Sequence, residues 1–204
     1  MARASTTLVD QLVTTMNSLE KTRSKMETLL SAGSIVRRDI EQVYSGLFMK
    51  GITSFEYVIE ALFVGLLVKQ FDPTSKIVTR VTFDSHSVAR DVVFGGRNYV
   101  DWFPYQHTEK RASAFFRAGK PFTHLSKPDK KILDNLLYIR NAIAHPSSYA
   151  RRKFEQEVVG ALPLTGVERS PAGFLRSPFR VMPYQTRYEN AASEMVSLAR
   201  KLCS

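Results

Sequence analysis

The chain has 204 residues, of which 44% are hydrophobic and 24% charged. It is long enough to bury a core without disulfides, and no apolar run reaches the roughly 20 residues that cross a bilayer. Its 29 basic and 19 acidic residues give a net charge of +10, which favours a polyanionic partner such as RNA, DNA or anionic lipid. The single cysteine, Cys203, excludes an internal disulfide and fits a reducing compartment. We expect a soluble, cytoplasmic protein with one domain over residues 1–204.

The first third of the chain is predicted to form two long helices. Apolar residues recur at helical spacing over roughly residues 8–31, and Thr7 begins a capping-box pattern at the start of this helix. Three basic residues of this helix are expected to form a solvated face: Lys21, Arg23 and Lys25. The second helix begins after Ser34 and covers residues 35–71.

Two residues of the second helix carry specific expectations. Glycine is unfavourable inside a helix, so Gly51 is expected to mark a kink. Glu60 lies within an apolar run. It is either a carboxylate at the rim of an amphipathic helix or a buried partner for Arg140.

Residues 73–106 lack the helical period and are predicted to form an irregular insertion between the second and third main helices. Within it, residues 77–83 are rich in β-branched side chains, which favours a short strand or an extended segment. The pair Gly95-Gly96 predicts a turn. Three aromatic residues fall within residues 101–105, and they either stack on bases or anchor the loop to the core.

The third main helix is predicted over residues 108–118, with Gly119 as its C-terminal stop. Its outer side is basic, which makes it a candidate surface for RNA. The residues concerned are Lys110, Arg111 and Arg117.

The next helix carries the most informative pattern. Ser126 is a capping residue, apolar residues then recur at helical spacing, and Pro146 is expected to end the helix at or just before His145. Arg140 and Asn141 lie in its last turn. The helix therefore presents a guanidinium, an amide and an imidazole at one end, a combination suited to phosphate.

A basic run follows directly and is the second candidate surface for RNA: Arg151, Arg152 and Lys153. These side chains either hold a phosphate backbone beside the helix end or form an ordinary exposed helix balanced by Glu155 and Glu157. Residues 161–185 contain four prolines and are predicted to form a loop. Thr186 then begins a capping box for a terminal helix over residues 187–203.

The segment RNAIAH at residues 140–145 resembles the signature of HEPN domains, an Arg followed by a polar residue, three further residues and a His. It is most similar to the stand-alone bacterial type related to the RiboL-PSP-HEPN group. Residues 173–177 and 186–189 also resemble the C-terminal part of such proteins. The resemblance covers most of the chain and implies an all-α fold, an antiparallel helical bundle.

Many HEPN proteins are metal-independent endoribonucleases of toxin–antitoxin, CRISPR-associated or anti-phage systems, and they are often homodimers. The resemblance thus implies RNA and a second copy of the chain as partners, with an antitoxin or defence-system protein as a further one, and no cofactor. It also implies catalytic roles for Arg140, Asn141 and His145. The alternative is a non-catalytic HEPN-type module that binds RNA, nucleotide or protein.

The chemistry of these residues fits that implication. Histidine titrates near neutral pH and can move protons, while the guanidinium of arginine matches phosphate oxygens and keeps its charge. A structural alternative is that Arg140 and His145 only offset the dipole at the helix C-terminus. No metal site is expected, because the four histidines lie far apart and form no metal-binding pair.

Overall fold

The computed structural model describes residues 3–72, 77–145, 147–179, 182 and 184–204. Helices dominate these residues, so the predicted all-α fold class is confirmed. The eight α-helices of the described residues are α1 (Thr6–Ser31), α2 (Arg37–Leu67), α3 (His86–Phe94), α4 (Tyr105–Phe115), α5 (Lys127–Ala144), α6 (Ser148–Phe154), α7 (Pro171–Arg176) and α8 (Arg187–Cys203). A two-residue parallel pair joins β1 (Arg3–Ala4) to β2 (Phe71–Asp72).

The chain divides into two compact units. The unit that we call the aromatic unit comprises Met1–Val13, Phe55–Leu133 and Val196–Ser204. The motif unit comprises Thr14–Ser54 and Asp134–Met195. Four helices, α1, α2, α5 and α8, contribute residues to both units. None of the helices in the described ranges is both long and apolar enough to cross a membrane.

A cluster of aromatic rings forms the core of the aromatic unit. The ring of Phe63 lies with its centroid 4.9 Å from those of Phe116 and Phe122 and 5.3 Å from Trp102. Trp102, Phe103 and Tyr105 are buried at 4%, 7% and 2% exposure. The three aromatics of residues 101–105 therefore anchor the loop to the core, and their side chains are not available to stack on bases.

The predicted irregular insertion contains a regular helix. Helix α3 lies inside residues 73–106, with the Ser85 hydroxyl accepting from the Val88 N–H and Gly95 closing it in the left-handed conformation. The turn predicted at Gly95-Gly96 is confirmed, whereas the prediction that the whole insertion is irregular is wrong, because it contains α3. Residues 77–83 form no regular strand, and Thr79 alone among them makes an isolated antiparallel bridge, with Phe116. Residues 73–76 of the insertion lie outside the described residues.

The predicted limits of the second and third main helices need correction. Helix α2 ends at Leu67 rather than at residue 71, because the chain turns at Lys69 with a φ of 54° and then enters β2. Helix α4 runs over Tyr105–Phe115 instead of residues 108–118, since Phe116 adopts extended backbone where it meets Thr79.

Two glycines of α2 make room for neighbouring side chains. The helix continues through Gly51, so the predicted fresh start after a kink there is not observed. A Cβ at Gly51 would lie 3.4 Å from the Met16 methyl group and 3.5 Å from that of Met195. At Gly65 a Cβ would overlap the ring of Phe71. Close packing, rather than bending, accounts for both glycines.

The motif unit contains a network of hydrogen bonds and ion pairs. Arg23 donates to Glu20, to the Tyr44 hydroxyl at 3.2 Å and to Glu189 at 3.0 Å. It is half-buried, so its predicted place on a solvated face with Lys21 and Lys25 is wrong. Burial by itself would raise the pKa of the Glu27 carboxyl. Hydrogen bonds from Arg176 and Tyr44 outweigh this effect and hold the pKa below its ordinary value.

The predicted loop over residues 161–185 contains α7. Gly173 is required in this helix, because a Cβ would overlap the Val167 carbonyl oxygen. Phe174 packs edge-on against Phe154 at 5.5 Å, and the Arg187 guanidinium lies 5.0 Å from the Phe174 ring centroid. Residues 180, 181 and 183 of the predicted loop lie outside the described residues. The terminal helix, predicted over residues 187–203, is confirmed as α8.

The segment around Ser5 meets the last turn of α8 within the aromatic unit. The Ser5 hydroxyl donates to the Cys203 carbonyl oxygen at 2.5 Å, and both residues are buried. Burial raises the pKa of the Cys203 thiol to about 12. The thiol is therefore protonated and covered at neutral pH.

A matched pair of substitutions in α2 tests the packing at Gly65. Gly65→Ala should lower the free energy of unfolding by about 1–3 kcal/mol, because the new methyl group displaces the Phe71 ring. Gly46→Ala should raise it by about 0.5–1 kcal/mol, because an alanine in an open helical position restricts the unfolded chain. Urea denaturation followed by circular dichroism measures both. Equal effects at the two positions would contradict the close approach of Phe71.

Candidate functional site

A reciprocal capping box fixes the start of α5. The Ser126 N–H donates to Asp129 Oδ2 at 3.0 Å, and the Asp129 N–H donates to Ser126 Oγ at 3.3 Å. Lys201 adds a bond of 2.6 Å to the other carboxylate oxygen. The hydrogen bonds from Lys201 and Ser126 hold the pKa of Asp129 below its ordinary value. The helix start predicted at Ser126 is confirmed.

The end of α5 lies where the sequence predicts it. Ala144 is the last helical residue, and the His145 N–H still donates to the Asn141 carbonyl at 2.9 Å. The chain then turns, with the Ser147 N–H donating to the His145 carbonyl at 2.7 Å. Pro146, on which the prediction rests, lies outside the described residues. His145 is thereby released from the helix, and its side chain is exposed.

The structure joins two of the three candidate catalytic side chains directly. Arg140 is half-buried, and its Nη1 donates to Asn141 Oδ1 at 3.1 Å. That bond uses one of the two acceptor positions of the amide oxygen and leaves the amide NH₂ of Asn141 as a donor. Within the described parts of the chain, no side-chain hydrogen bond ties the His145 ring to either residue. The site thus combines an oriented cation–amide pair with a solvent-accessible imidazole.

A cleft of about 570 Å³, which we call the Arg152 cleft, lies beside the end of α5 in the motif unit. Ala142, the residue after Asn141, forms part of its wall, so the cleft adjoins the motif. The other lining residues come from α6 and from the segment that leads into α7: Arg151, Arg152, Phe154, Glu155, Gly166, Arg169, Ser170 and Pro171.

The charges around the Arg152 cleft are unevenly paired. Lys153 lies 3.7 Å from Glu157, and Arg169 binds Glu155 through its guanidinium. Arg151 and Arg152 are exposed and form no ion pair with a carboxylate among the described residues. The sequence left two alternatives for the basic run. Lys153 is balanced by an acidic neighbour, as on an ordinary exposed helix, whereas Arg151 and Arg152 keep a positive charge that could hold a phosphate backbone.

Local geometry explains the position of these two arginines. Ser147 caps α6 by accepting from the Ala150 N–H at 3.2 Å, so α6 begins at Ser148, shortly after the motif. From Glu155 the helix widens into a π-helical segment, Glu155–Val159, which ends at Gly160. Such segments occur frequently at functional sites. Here the widened turn begins at a residue that lines the cleft.

The other predicted RNA-binding residues belong to the aromatic unit. Lys110 and Arg117 are exposed. Arg111 is half-buried, with its guanidinium 5.0 Å from the Trp102 ring centroid, and burial lowers its pKa. Glu60, suggested as a partner for Arg140, instead accepts from the Trp102 indole N–H at 3.2 Å and lies 3.7 Å from Arg90. Of the two alternatives for Glu60, a carboxylate at the rim of the helix or a buried partner for Arg140, the structure therefore favours the first.

Sequence reasoning missed several residues of the Arg152 cleft. Arg169 and Ser170 line it although they are distant in sequence from the motif. The only local signal was Ser170 before Pro171, which is a typical helix start and is confirmed by the bond from the Gly173 N–H to Ser170 Oγ. In the described residues, no group of three or more His, Cys, Asp or Glu side chains is arranged to hold a metal ion.

Comparisons with protein-family models, with curated proteins and with solved structures gave no match. The resemblance to HEPN domains therefore rests on the residues of this chain alone.

The capping box of α5 predicts a pH-dependent contribution to stability. Because the folded-state pKa of Asp129 is depressed, its stabilising effect is fully present above its unfolded value of about 4 and is lost as the pH falls through the lower folded value. Asp129→Asn should cost about 1 kcal/mol at pH 7, and the difference from the unaltered chain should vanish in strong acid. Urea unfolding between pH 2 and 7 tests this, with the exposed Asp84→Asn as control. A difference that is independent of pH would contradict it.

Proposed function

We propose that this protein is a metal-independent endoribonuclease of the HEPN type. The observation that carries the proposal is the end of α5, where the bonded pair Arg140–Asn141 is followed by an exposed His145. The adjoining Arg152 cleft supports it, since Arg151 and Arg152, which form no ion pair with a carboxylate among the described residues, suit the phosphates of an RNA chain. The net charge of +10 is in keeping with such a substrate.

The proposed reaction uses the 2′-OH of RNA as nucleophile. The 2′-oxygen attacks phosphorus and loses its proton to a base, and the bond to the 5′-oxygen breaks as that oxygen gains a proton. The products are a 2′,3′-cyclic phosphate and a 5′-OH end. In this scheme His145 moves a proton, Arg140 stabilises the charge of the pentacoordinate phosphorus, and the Asn141 amide donates to a phosphate oxygen.

A non-catalytic RNA-binding or nucleotide-binding module is the second candidate function. It is favoured by the His145 ring, which no hydrogen bond orients among the residues that the structure describes. A catalytic imidazole is normally oriented by a partner. On this reading the same arginines bind phosphate without cleavage.

The family resemblance also suggests a biological setting. Many HEPN ribonucleases act as toxins or anti-phage effectors, and we propose the same role here, in the cytoplasm, with an antitoxin or defence protein as the controlling partner. That role requires cleavage of cellular or phage RNA without an added cofactor.

RNA cleavage in the presence of EDTA tests the activity. The unaltered chain should cleave single-stranded RNA to 2′,3′-cyclic phosphate and 5′-OH ends. His145→Ala and Arg140→Ala should each reduce the rate by at least about 100-fold, since each removes a group that acts in the transition state. Thermal stability should change little, because His145 is exposed and the side chain of Arg140 makes one hydrogen bond to the residues that the structure describes.

His107→Ala and Arg200→Ala serve as controls, because both side chains are exposed and lie outside the motif. Cleavage that persists in both motif variants would refute the catalytic assignment. A strict Mg²⁺ requirement with 5′-phosphate products would do the same. Binding without cleavage would establish the non-catalytic alternative.

The salt dependence of RNA binding tests the Arg152 cleft. Replacing Arg151, Arg152 and Lys153 by Gln should weaken binding and reduce the slope of log K against log salt by about one for each lost phosphate contact. The control removes the same charge elsewhere in the motif unit, with Gln at the exposed Lys21, Lys25 and Lys50. If both triple variants change the slope equally, only net charge matters, and the cleft has no special role.

The requirement for two proton transfers leads us to propose a homodimer. Each chain supplies one motif imidazole, and a two-fold pair of motifs facing one cleft provides both an acid and a base. Mass photometry and cleavage rates measured along one dilution series provide the test. Activity per chain should fall as the dimer dissociates. Constant activity per chain in the monomer would exclude a composite site.

A further inference from the structure

A second cavity lies in the aromatic unit, well supplied with both apolar and polar groups. It has a volume of about 450 Å³, which suits a small ligand. Its apolar floor consists of buried side chains, Leu8, Val64 and Phe71. One face of α2 forms a wall, because Tyr57, Glu60, Ala61 and Val64 follow one another at helical spacing. We call it the Glu60 cavity.

The carboxylate of Glu60 is held in a fixed orientation at this wall. Its Oε2 accepts from the Trp102 indole N–H at 3.2 Å, and its Oε1 lies 3.7 Å from Arg90 Nε. Trp102 is itself buried, so the first of these bonds anchors the carboxylate to the core. Two oxygens offer about four acceptor positions. Each oxygen therefore retains capacity for a donor from a molecule in the cavity.

An exposed aromatic ring lies on the same face of α2. Tyr57 is 61% exposed, although it contributes to the lining. It presents a flat surface one helical turn from Glu60. Stacking on such a ring contributes to the binding of any nucleobase. The cavity thus supplies a stacking surface beside a carboxylate whose two oxygens can both accept hydrogen bonds.

We propose that the Glu60 cavity binds guanine. The Watson–Crick edge of guanine carries two adjacent donors, N1–H and N2–H, which match the two oxygens of a carboxylate. Adenine and cytosine each place a ring-nitrogen acceptor beside their amino group. Uracil has one donor between two acceptors. The Glu60 carboxylate therefore repels part of every other base edge.

Polar and basic side chains of α3 line the cavity next to Glu60, and they favour a ligand that carries a phosphate. His86, Ser87 and Arg90 come from the first turns of α3 and line the cavity. Arg90 is 54% exposed, and its guanidinium also lies 4.7 Å from the centroid of the Phe94 ring. Besides Nε, which lies near Glu60, the guanidinium of Arg90 has further N–H groups that can donate to an anionic group of the ligand while Glu60 binds the base edge. The ligand is thus a guanine nucleotide, either free or as a residue of single-stranded RNA.

This proposal does not depend on ribonuclease activity, because it concerns binding by residues outside the motif. Isothermal titration of the full chain with GMP, AMP, CMP and UMP tests it. GMP should bind at least about tenfold more tightly than each of the other three, the discrimination expected of one bidentate contact. Trp102 is the only tryptophan, and its indole contacts Glu60, so its fluorescence should change on binding.

Two substitutions examine the contacts separately. Glu60→Gln preserves an acceptor for Trp102 but adds donors that oppose those of guanine, so GMP affinity should fall by about tenfold or more. Tyr57→Ala should weaken all four nucleotides by about tenfold through lost stacking. Tyr99→Ala, which removes another exposed tyrosine of the aromatic unit outside the cavity, should leave affinity unchanged.

The source of the guanine is decided by pentanucleotides that resist cleavage. Uridine pentamers with a central G or A, carrying 2′-O-methyl groups throughout, are compared with GMP. Binding of the G pentamer that is tighter than that of both GMP and the A pentamer assigns the cavity to RNA, and a G pentamer that binds no tighter than the A pentamer assigns it to the free nucleotide. The proposal is overturned if GMP does not bind at millimolar concentration, if it binds no tighter than the other nucleotides, or if Glu60→Gln leaves its affinity unchanged.

Discussion

The hydrogen bond from the His145 N–H to the Asn141 carbonyl is the last of α5, and the arrangement of the candidate site follows from it. Because the helix ends there, the chain can turn at once through Ser147 into α6. A helix longer by one turn would keep His145 in the helix and move Arg151 and Arg152 away from the motif. A single helix end therefore determines both the exposure of the imidazole and the position of the arginines.

Positive charge serves two different purposes in the motif unit. Arg23, Arg176 and Arg187 lie in contacts with tyrosine, carboxylate or aromatic groups and hold segments of the unit together. Arg151 and Arg152 are exposed and lack a carboxylate partner among the described residues. The excess of basic residues is thus not a uniform surface property. Of these five arginines, Arg151 and Arg152 can bind an anionic ligand without breaking an ion pair, and the one aromatic contact recorded for them, between Arg152 and the exposed Tyr149 ring at 5.9 Å, lies at the surface.

Most features encoded over a few adjacent residues were predictable from the sequence, although the capping box expected at Thr7 does not mark the start of α1, which begins at Thr6. The capping boxes at Ser126 and Thr186 depend on side chains three positions apart, and both helices begin where those boxes place them. The end of α5 was predictable for the same reason. Helix α3 was not, because its nine residues follow a stretch rich in β-branched side chains.

Features that depend on distant residues could not be predicted. The sequence gives no sign that Arg23 would meet Tyr44 and Glu189, so it looked like part of a solvated face. The Arg152 cleft combines α6 with residues 166–171, and only the folded chain brings them together. Of the candidate site, the motif and the basic residues Arg151 and Arg152 were therefore predictable, whereas the part of the cleft that residues 166–171 form was not.

The burial of Cys203 makes the only thiol of this protein a natural probe of local opening. The residue is covered within the aromatic unit, and its raised pKa keeps the unreactive protonated form at neutral pH. An alkylating reagent can reach the sulfur only when the last turn of α8 opens locally, because Cys203 is 1% exposed in the folded chain. The rate of alkylation in native buffer therefore measures how often this end of α8 opens, without any engineered label.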